Sequence, residues 1–246
     1  MSRAALALAL ALALSGCRSA PVSWAPLAAE DPRPEALRAR LTTLAEGRHG
    51  LRASGRVRSE GPAAAGFAKQ LLLVERPARL RVEVLGLLAQ RVLVLATDGE
   101  RYALYRAEQA AIERGDVHPG VLNEATGLPL TPDAATGLLL AAPLPPPDAP
   151  ADAFEGSDGG LSLRWSDQTL DFDAEGRLVA LAFHPGGRET LAARWSEWRD
   201  VSATAFPHRL ELELFEPAAH WQLDYGDVEL NPELAPEWFE LPVEPG

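Results

Sequence analysis

The sequence lacks the residues that common covalent and metal-dependent sites require. A single cysteine, Cys17, among 246 residues excludes an internal disulfide and a cysteine-based zinc site. The five histidines form no HExxH or HxxxH pair, and the chain contains no GxSxG, GxGxxG or phosphate-binding glycine loop. We therefore predict that the protein is not an enzyme and that it binds no metal and no cofactor.

Basic residues are also scarce. The chain has 23 lysines and arginines against 35 aspartates and glutamates, and its formal net charge is -12. A general nucleic-acid binder needs a basic surface to meet phosphates, so we expect no nucleic-acid partner.

The charge is distributed unevenly along the chain. Residues 33–114 carry 15 basic and 9 acidic side chains, whereas residues 115–246 carry 6 basic and 24 acidic ones. The first segment could therefore approach an anionic membrane or an acidic partner. Opposite charges on neighbouring strands of one sheet would explain the same numbers. Arg52, Arg56 and Arg58 share one strand face and could meet anionic lipid. A solvated outer face of a sheet explains the same residues.

Long apolar runs are absent except at the N-terminus, where residues 4–14 are all alanine or leucine. As a helix this run spans about 16 Å at roughly 1.5 Å per residue, which is too short for a hydrocarbon core of about 30 Å. A short apolar run behind Arg3 is typical of an export signal. The motif Leu14-Ser15-Gly16-Cys17 that follows resembles the bacterial lipobox. We predict a lipoprotein signal peptide over residues 1–16 and lipidation at Cys17; the alternative is a secretory signal with a chance cysteine.

The segment after the cysteine suggests where the protein is held. Arg18 stands where well-studied bacterial lipoproteins retained at the inner membrane carry aspartate, which favours the outer membrane. Residues 19–34 are rich in proline and alanine without periodicity. We therefore predict a flexible tether over residues 17–33 and a lipid-anchored protein that faces the periplasm.

The rest of the chain has the pattern of a strand-rich domain. A helix is predicted from about Pro34 to Glu46, and further helical structure over about 121–142. Period-two apolar patterns between turn signals such as Asp98-Gly99 and Phe206-Pro207 predict about eleven strands. They cover residues 51–58, 67–75, 80–85, 91–97, 101–106, 161–165, 169–172, 178–183, 190–198, 210–215 and 221–228.

Short turns between most strands predict antiparallel neighbours and one domain over residues 34–246. The expected fold class is mainly β (α+β), with a single large curled antiparallel sheet, an open β-barrel with covering helices and an apolar hollow. Alternate apolar residues are candidates for lining that hollow as an acyl-chain site: Leu163, Trp165, Leu191, Trp195, Leu212, Leu214, Trp221 and Leu223.

Three segments carry a family resemblance. They are a strand ending in Leu85-Gly86-Leu87-Leu88-Ala89, the run Gly127-Leu128-Pro129-Leu130-Thr131-Pro132 before a leucine-rich helix, and the closing motifs Asn231-Pro232-Glu233-Leu234 and Trp238-Phe239-Glu240-Leu241-Pro242. These resemble the outer-membrane lipoprotein receptor LolB and the wider LolA/LolB-like lipoprotein-sorting group. The resemblance implies an open barrel of about eleven strands, a helical lid and an apolar cavity for lipoprotein acyl chains.

The resemblance also implies a function. The protein would accept acylated lipoproteins or other lipids, receive them from a periplasmic carrier of the LolA type, and help insert them into the outer membrane as a monomer. The alternative is a non-catalytic envelope interaction or sensor lipoprotein whose hollow is filled by its own side chains. An open apolar cavity would favour the first function, and a packed one the second.

The loop at residues 85–89 has three leucines within four residues, Leu85, Leu87 and Leu88, which is unusual for a solvated turn. They could pack beneath a helix. Alternatively they form an apolar tip that dips into the membrane, as the resemblance implies for Leu88.

Overall fold

The computed structural model describes residues 22–61, 65–146 and 150–240. The predicted signal peptide and Cys17 lie outside these residues. Within the described ranges, no helix is both long and apolar enough to cross a membrane.

The described strands form one antiparallel sheet, in the order β1-β8-β9-β10-β11-β12-β13-β14-β2-β3-β4-β5-β6-β7. The pairing of β14 with β2 joins the two halves of the chain, and β1 and β7 are the edges. The predicted fold class is confirmed: a mainly β chain with one large, open, curled sheet and covering helices. The strands are β1 Trp24–Pro26, β2 Gly50–Glu60, β3 Gly66–Glu75, β4 Arg79–Leu85, β5 Arg91–Thr97, β6 Arg101–Arg106, β7 Ala111–Asp116, β8 Asp152–Gly156, β9 Leu161–Arg164, β10 Gln168–Phe172, β11 Leu178–Phe183, β12 Leu191–Val201, β13 Thr204–Phe215 and β14 Ala218–Leu230.

The sheet has fourteen strands rather than about eleven. The additional strands are β1, β7 and β8, which lie at or next to the sheet edges. Edge strands often carry charged residues and prolines, which protect their unpaired backbone groups. Their apolar residues therefore alternate less clearly, and the sequence predicts such strands only weakly. Strand β1 also lies inside the segment predicted as a tether, where Trp24 pairs with Gly156 of β8.

The turn between β12 and β13 is also displaced from its predicted place. Phe206 and Pro207 lie inside β13, and the turn is made by Ser202 and Ala203, which have φ values of 50° and 64°. Proline is a frequent turn residue, but here it occupies a strand position opposite Trp198.

Three α-helices cover the inner face of the sheet: α1 Arg33–Gly47, α2 Val121–Thr126 and α3 Pro132–Leu139. The segment predicted as helical over 121–142 is divided at Gly127, whose φ of 79° ends α2 in the left-handed conformation. Helix α3 restarts at Thr131, whose hydroxyl accepts a hydrogen bond from the Ala134 N–H at 3.3 Å.

The helices cover different halves of the sheet. Helix α1 lies near β9–β11, because the Arg38 guanidinium stands 5.9 Å from the Trp165 ring and Arg40 donates to the Glu175 carbonyl at 3.0 Å. Helix α3 contacts β3 and β4 in the other half. Different helices therefore cover the two halves of the inner face, and the side chains beneath them can be packed to different extents.

One end of the sheet carries exposed apolar side chains. The turns between β2 and β3, β4 and β5, and β13 and β14 lie at this end, which we call the mouth rim. The side chains of Phe67, Leu87 and Leu88 are 77%, 102% and 89% exposed. The hypothesis that Leu87 and Leu88 pack beneath a helix is therefore wrong.

Candidate functional site: an apolar cavity under a helical roof

A cavity of about 490 Å³ lies between the inner face of the sheet and the helices α2 and α3. This volume is within the roughly 300–1,000 Å³ typical of ligand pockets. Strands β2 to β5, β13 and β14 form the floor and walls. The two helices and the linker between them form the roof. The sheet residues lining it include Val57, Ala68, Leu72, Leu80, Val82, Val84, Leu93, Leu210, Leu212, Trp221 and Leu223, and the roof residues include Leu122, Ala125, Leu128, Leu130, Ala135, Leu138 and Leu139.

The cavity follows from the period-two pattern of the strands and from small residues in them. Alternate residues of β2 and β3 face inward, and several of these are small. Ala68, which stands opposite Val57, and Gly66 both line the cavity. Their small size leaves space that the roof does not fill.

Few polar groups reach the cavity. Among the described residues that line it, Glu124 of α2 is the one ionisable side chain, and it stands beside Asn123. Ser59 and Gln70 contribute a hydroxyl and an amide from the sheet. The Gln70 amide has no hydrogen-bond partner among the described residues. The cavity is therefore suited to a long apolar group, with a few neutral polar contacts.

The mouth rim lies next to this cavity. Phe67 lines the cavity and is also largely exposed. Val84 and Leu93, which line the wall, pair across β4 and β5 just before the turn that carries Leu87 and Leu88. A ligand leaving the cavity at this end would meet the exposed leucines.

The roof is fixed at its C-terminal end by hydrogen bonds from the sheet side. Tyr225 Oη donates to the Leu139 carbonyl at 3.1 Å. Arg48 Nη1 donates to the carbonyls of Leu140 and Ala141 at 3.1 and 3.2 Å, and Arg76 donates to that of Ala142. The four acceptors are the carbonyl of the last residue of α3 and those of the three residues after it, so these bonds hold the chain where the helix ends.

Arg48 is buried without a carboxylate partner among the described residues. Burial lowers the pKa of Arg48 to about 10, so the guanidinium remains charged at neutral pH. Its Cζ lies 5.4 Å from the centre of the Phe206 ring, which offers a second favourable contact for the charge.

Searches with the sequence gave no match to a protein-family model and none to a curated protein. Solved structures do match. The LolA superfamily protein NE2245 from Nitrosomonas europaea has a TM-score of 0.55 at 12% identity, with 84% of this chain and 97% of that chain covered. A domain described as that of an outer membrane lipoprotein-sorting protein from Vibrio parahaemolyticus has a TM-score of 0.54 at 10% identity, covering 83% and 94%. A DUF1329 family protein from Desulfovibrio piger has a TM-score of 0.53 at 9% identity, covering 85% and 98%.

The chain has a LolA-like fold. The similarity supports the LolA-like part of the predicted resemblance and gives no specific support for LolB. At these low identities the similarity concerns the fold alone.

The predicted acyl-site residues fall into two groups within this LolA-like fold. Leu212, Trp221 and Leu223 line the cavity. The other five do not line it and are buried: Leu163, Trp165, Leu191, Trp195 and Leu214. The period-two pattern identifies the inner face of the sheet, but the helices above decide which part of that face stays open.

Sequence analysis missed the other wall of the cavity and its roof. Val82 follows the same alternation as the predicted residues, on β4, and its pattern could have identified it. Leu72 and Leu93 stand in the continuous apolar runs 71–74 and 92–96, where alternation does not distinguish the inner face from the outer one. The roof residues Leu122 and Leu138 could not have been found in this way, because a helical apolar face gives no sign of what lies beneath it.

Proposed function

We propose that the protein is a non-enzymatic lipid-handling protein that binds the acyl chains of lipoproteins or other lipids in this cavity and helps insert them into the outer membrane. The observation that carries the proposal is an open cavity of about 490 Å³ whose walls are apolar and whose roof is helical. The similarity to a domain described as lipoprotein-sorting supports the same class of ligand.

The lining of the cavity favours acyl chains over polar ligands. Burial of each methylene contributes about 0.8 kcal/mol, so a chain of ten methylenes gains about 8 kcal/mol before the costs of ordering. A charged ligand would find Glu124 as the single ionisable side chain among the lining residues that the structure describes. Delivery needs no covalent step. It needs a cavity whose affinity for the acyl chain is higher than that of the donor and lower than that of the membrane.

The mouth rim supplies a contact with the membrane. Exposed Leu87 and Leu88 stand at the tip of the β4–β5 turn. Insertion of one leucine contributes roughly 1.5–3 kcal/mol, which is enough to orient a tethered protein and not enough to anchor it alone. We assign the anchor to lipidated Cys17, behind a signal peptide over residues 1–16.

The position of β1 sets the reach of that anchor. Trp24 begins β1 at the end of the sheet opposite the mouth rim, since it pairs with the last residue of β8. Cys17 and Trp24 are seven positions apart along the chain, so at most about 23–25 Å separates their Cα atoms. The five residues of β8 cover roughly 16 Å along the strand. Along the strand direction, the tether is therefore long enough to bring Cys17 level with the mouth rim.

The alternative function is an interaction or sensor module with a filled hollow. The half of the inner face around Leu163 and Trp195 is filled by side chains in this way. The open half beneath α2 and α3 favours ligand binding instead.

The direct test is a titration with a fluorescent fatty-acyl probe. Every strand and helix described here lies within residues 22–240, so a chain starting at residue 18 contains the whole fold without its lipid. We expect micromolar or tighter binding. Ala68→Phe places a ring inside the cavity and should abolish binding with little change in stability.

The matched control is Ala192→Phe, the same change on the outer face of β12, where Ala192 pairs with Glu213. It should bind the probe like the unchanged protein. Absence of probe binding in the unchanged protein, or equal binding by both variants, would count against the proposal.

A further inference from the structure

Two basic side chains stand directly opposite each other on the outer face of the sheet near the mouth rim. Arg56 of β2 pairs with Lys69 of β3, and both are exposed. Within the described part of the chain, neither makes an ion pair or a side-chain hydrogen bond. Asp224 lies opposite Arg56 on β14, but its carboxylate accepts hydrogen bonds from Arg209 Nε at 2.6 Å and from Gln222 at 2.8 Å.

This arrangement is unfavourable for the folded protein alone, because like charges directly opposite each other in a sheet repel. The chain does not lack carboxylates, since acidic residues outnumber basic ones by 35 to 23. The uncompensated pair therefore points to an anionic partner outside the protein.

Neighbouring residues extend the positive surface. Arg58 lies 5.1 Å from the Phe67 ring and pairs with Glu60. Arg91 and Arg81 both pair with Glu83, so within the described part of the chain these two guanidinium groups share one carboxylate. We call Arg56, Arg58, Lys69 and Arg91 the basic patch.

The basic patch continues into the apolar tip. Lys69 pairs with Leu85 of β4, and Leu85 pairs with Arg91 at the start of β5, so both basic residues flank the turn that carries the exposed leucines. Phe67, opposite Arg58, reaches the same rim. A surface with apolar side chains at its tip and basic side chains behind them fits a bilayer with anionic headgroups.

We propose that the basic patch binds the phosphate groups of an anionic lipid bilayer while Leu87 and Leu88 enter its apolar layer. The inference extends the proposed function by naming the lipid chemistry of the target membrane. It does not depend on occupancy of the cavity. An acidic protein partner would use the same charges but would not need the leucines.

The test is co-sedimentation of the cargo-free chain starting at residue 18 with two kinds of vesicles. One kind is phosphatidylcholine alone, and the other is an equal mixture of phosphatidylcholine and phosphatidylglycerol. We expect tighter, salt-sensitive binding to the mixed vesicles. The double variant Arg56→Gln/Lys69→Gln should weaken that binding about 30-fold, which corresponds to about 2 kcal/mol, and leave binding to phosphatidylcholine unchanged.

Two controls keep the result interpretable. Arg194→Gln/Arg199→Gln removes the same charge from β12, away from the patch, and should bind the mixed vesicles nearly like the unchanged protein. The patch variant should melt at the same or a higher temperature, because a repulsion is removed.

Equal binding of the patch variant and the unchanged protein to mixed vesicles would overturn the inference, and so would an equal loss in the β12 variant. Acyl-probe binding, measured on the same samples, reports separately on the proposed function.

Discussion

The indole Nε1 of Trp195 donates a hydrogen bond of 3.1 Å to the carbonyl of Leu138. Trp195 is buried on β12, and Leu138 belongs to helix α3 in the roof of the cavity. A side chain predicted to line the acyl site therefore supports the roof from the packed half of the sheet. The contact joins the two halves of the inner face, so the packed half helps to hold α3 in place over the cavity.

Trp195→Phe should destabilise the protein by about 1–3 kcal/mol, since it removes a buried hydrogen bond and leaves a gap beside the roof. Trp221→Phe shortens a partly exposed side chain that lines the cavity, and it should change acyl-probe affinity more than stability. Urea denaturation and probe titration of both variants measure this contrast. If the two variants behaved alike in both assays, the division into a packed half and an open half would be incorrect.

Arg48→Met should lower the free energy of unfolding by about 2–4 kcal/mol, because the buried carbonyls of residues 140 and 141 and the partly buried carbonyl of residue 205 lose their donor. Arg52→Met, on exposed β2 surface, should change it by less than about 1 kcal/mol. Chemical denaturation measures both. A neutral effect of Arg48→Met would show that the roof end is held by packing alone.

The contribution of Glu83 to the free energy of unfolding depends on pH. Burial favours a higher pKa of this carboxyl, but hydrogen bonds from Arg91 and Arg81 outweigh it and hold the pKa below its ordinary value of 4.5. The folded state then stabilises the charged form. This contribution is present above about pH 4.5 and is lost as the pH falls through the lower, folded-state pKa.

Glu83→Gln should therefore destabilise the protein at pH 7 by about 1–3 kcal/mol, and the difference should shrink as the pH falls below about 4.5. Denaturation curves between pH 3 and pH 7 test this, with exposed Glu213→Gln as the control. A difference that is constant across this range would mean that the ion pairs of Glu83 contribute little.

Leu88→Glu should leave melting and acyl-probe binding near normal and slow the transfer of cargo into liposomes, because it puts a charge on the inserting tip. Leu144→Glu is a matched control. Leu144 is also an exposed leucine, but it follows α3 near Arg76 in the β3–β4 turn, at the other end of the sheet. If the Leu88→Glu variant transferred cargo at the normal rate, the tip would have no role in delivery.

The central strands were predictable because their apolar side chains alternate. In β13, Leu210, Leu212 and Leu214 face inward and the glutamates between them face outward. The edge strands were not predictable in the same way. Strand β7 has Ile112 as its one large apolar residue, and its place beside β6 depends on the backbone of that neighbour.

The candidate site was predictable only in part. Leu212 and Leu163 have the same sequence pattern, yet one lines the cavity and the other is in the packed core. The difference arises from where α1 and α3 rest on the sheet, which local periodicity does not specify. The pairing of Arg56 with Lys69 likewise depends on the register between β2 and β3. The two residues are thirteen positions apart along the chain, so local periodicity does not reveal that they are neighbours.

The central claim is that the cavity holds acyl chains, and native mass spectrometry of the protein extracted gently from membranes tests it most directly. We predict a mass above that of the protein, and release on activation of a lipid or lipopeptide that bears acyl chains. Ala68→Phe should lose this added mass and Ala192→Phe should keep it. A protein that carries no ligand in any preparation, and gains none when incubated with acylated lipid, would contradict the account.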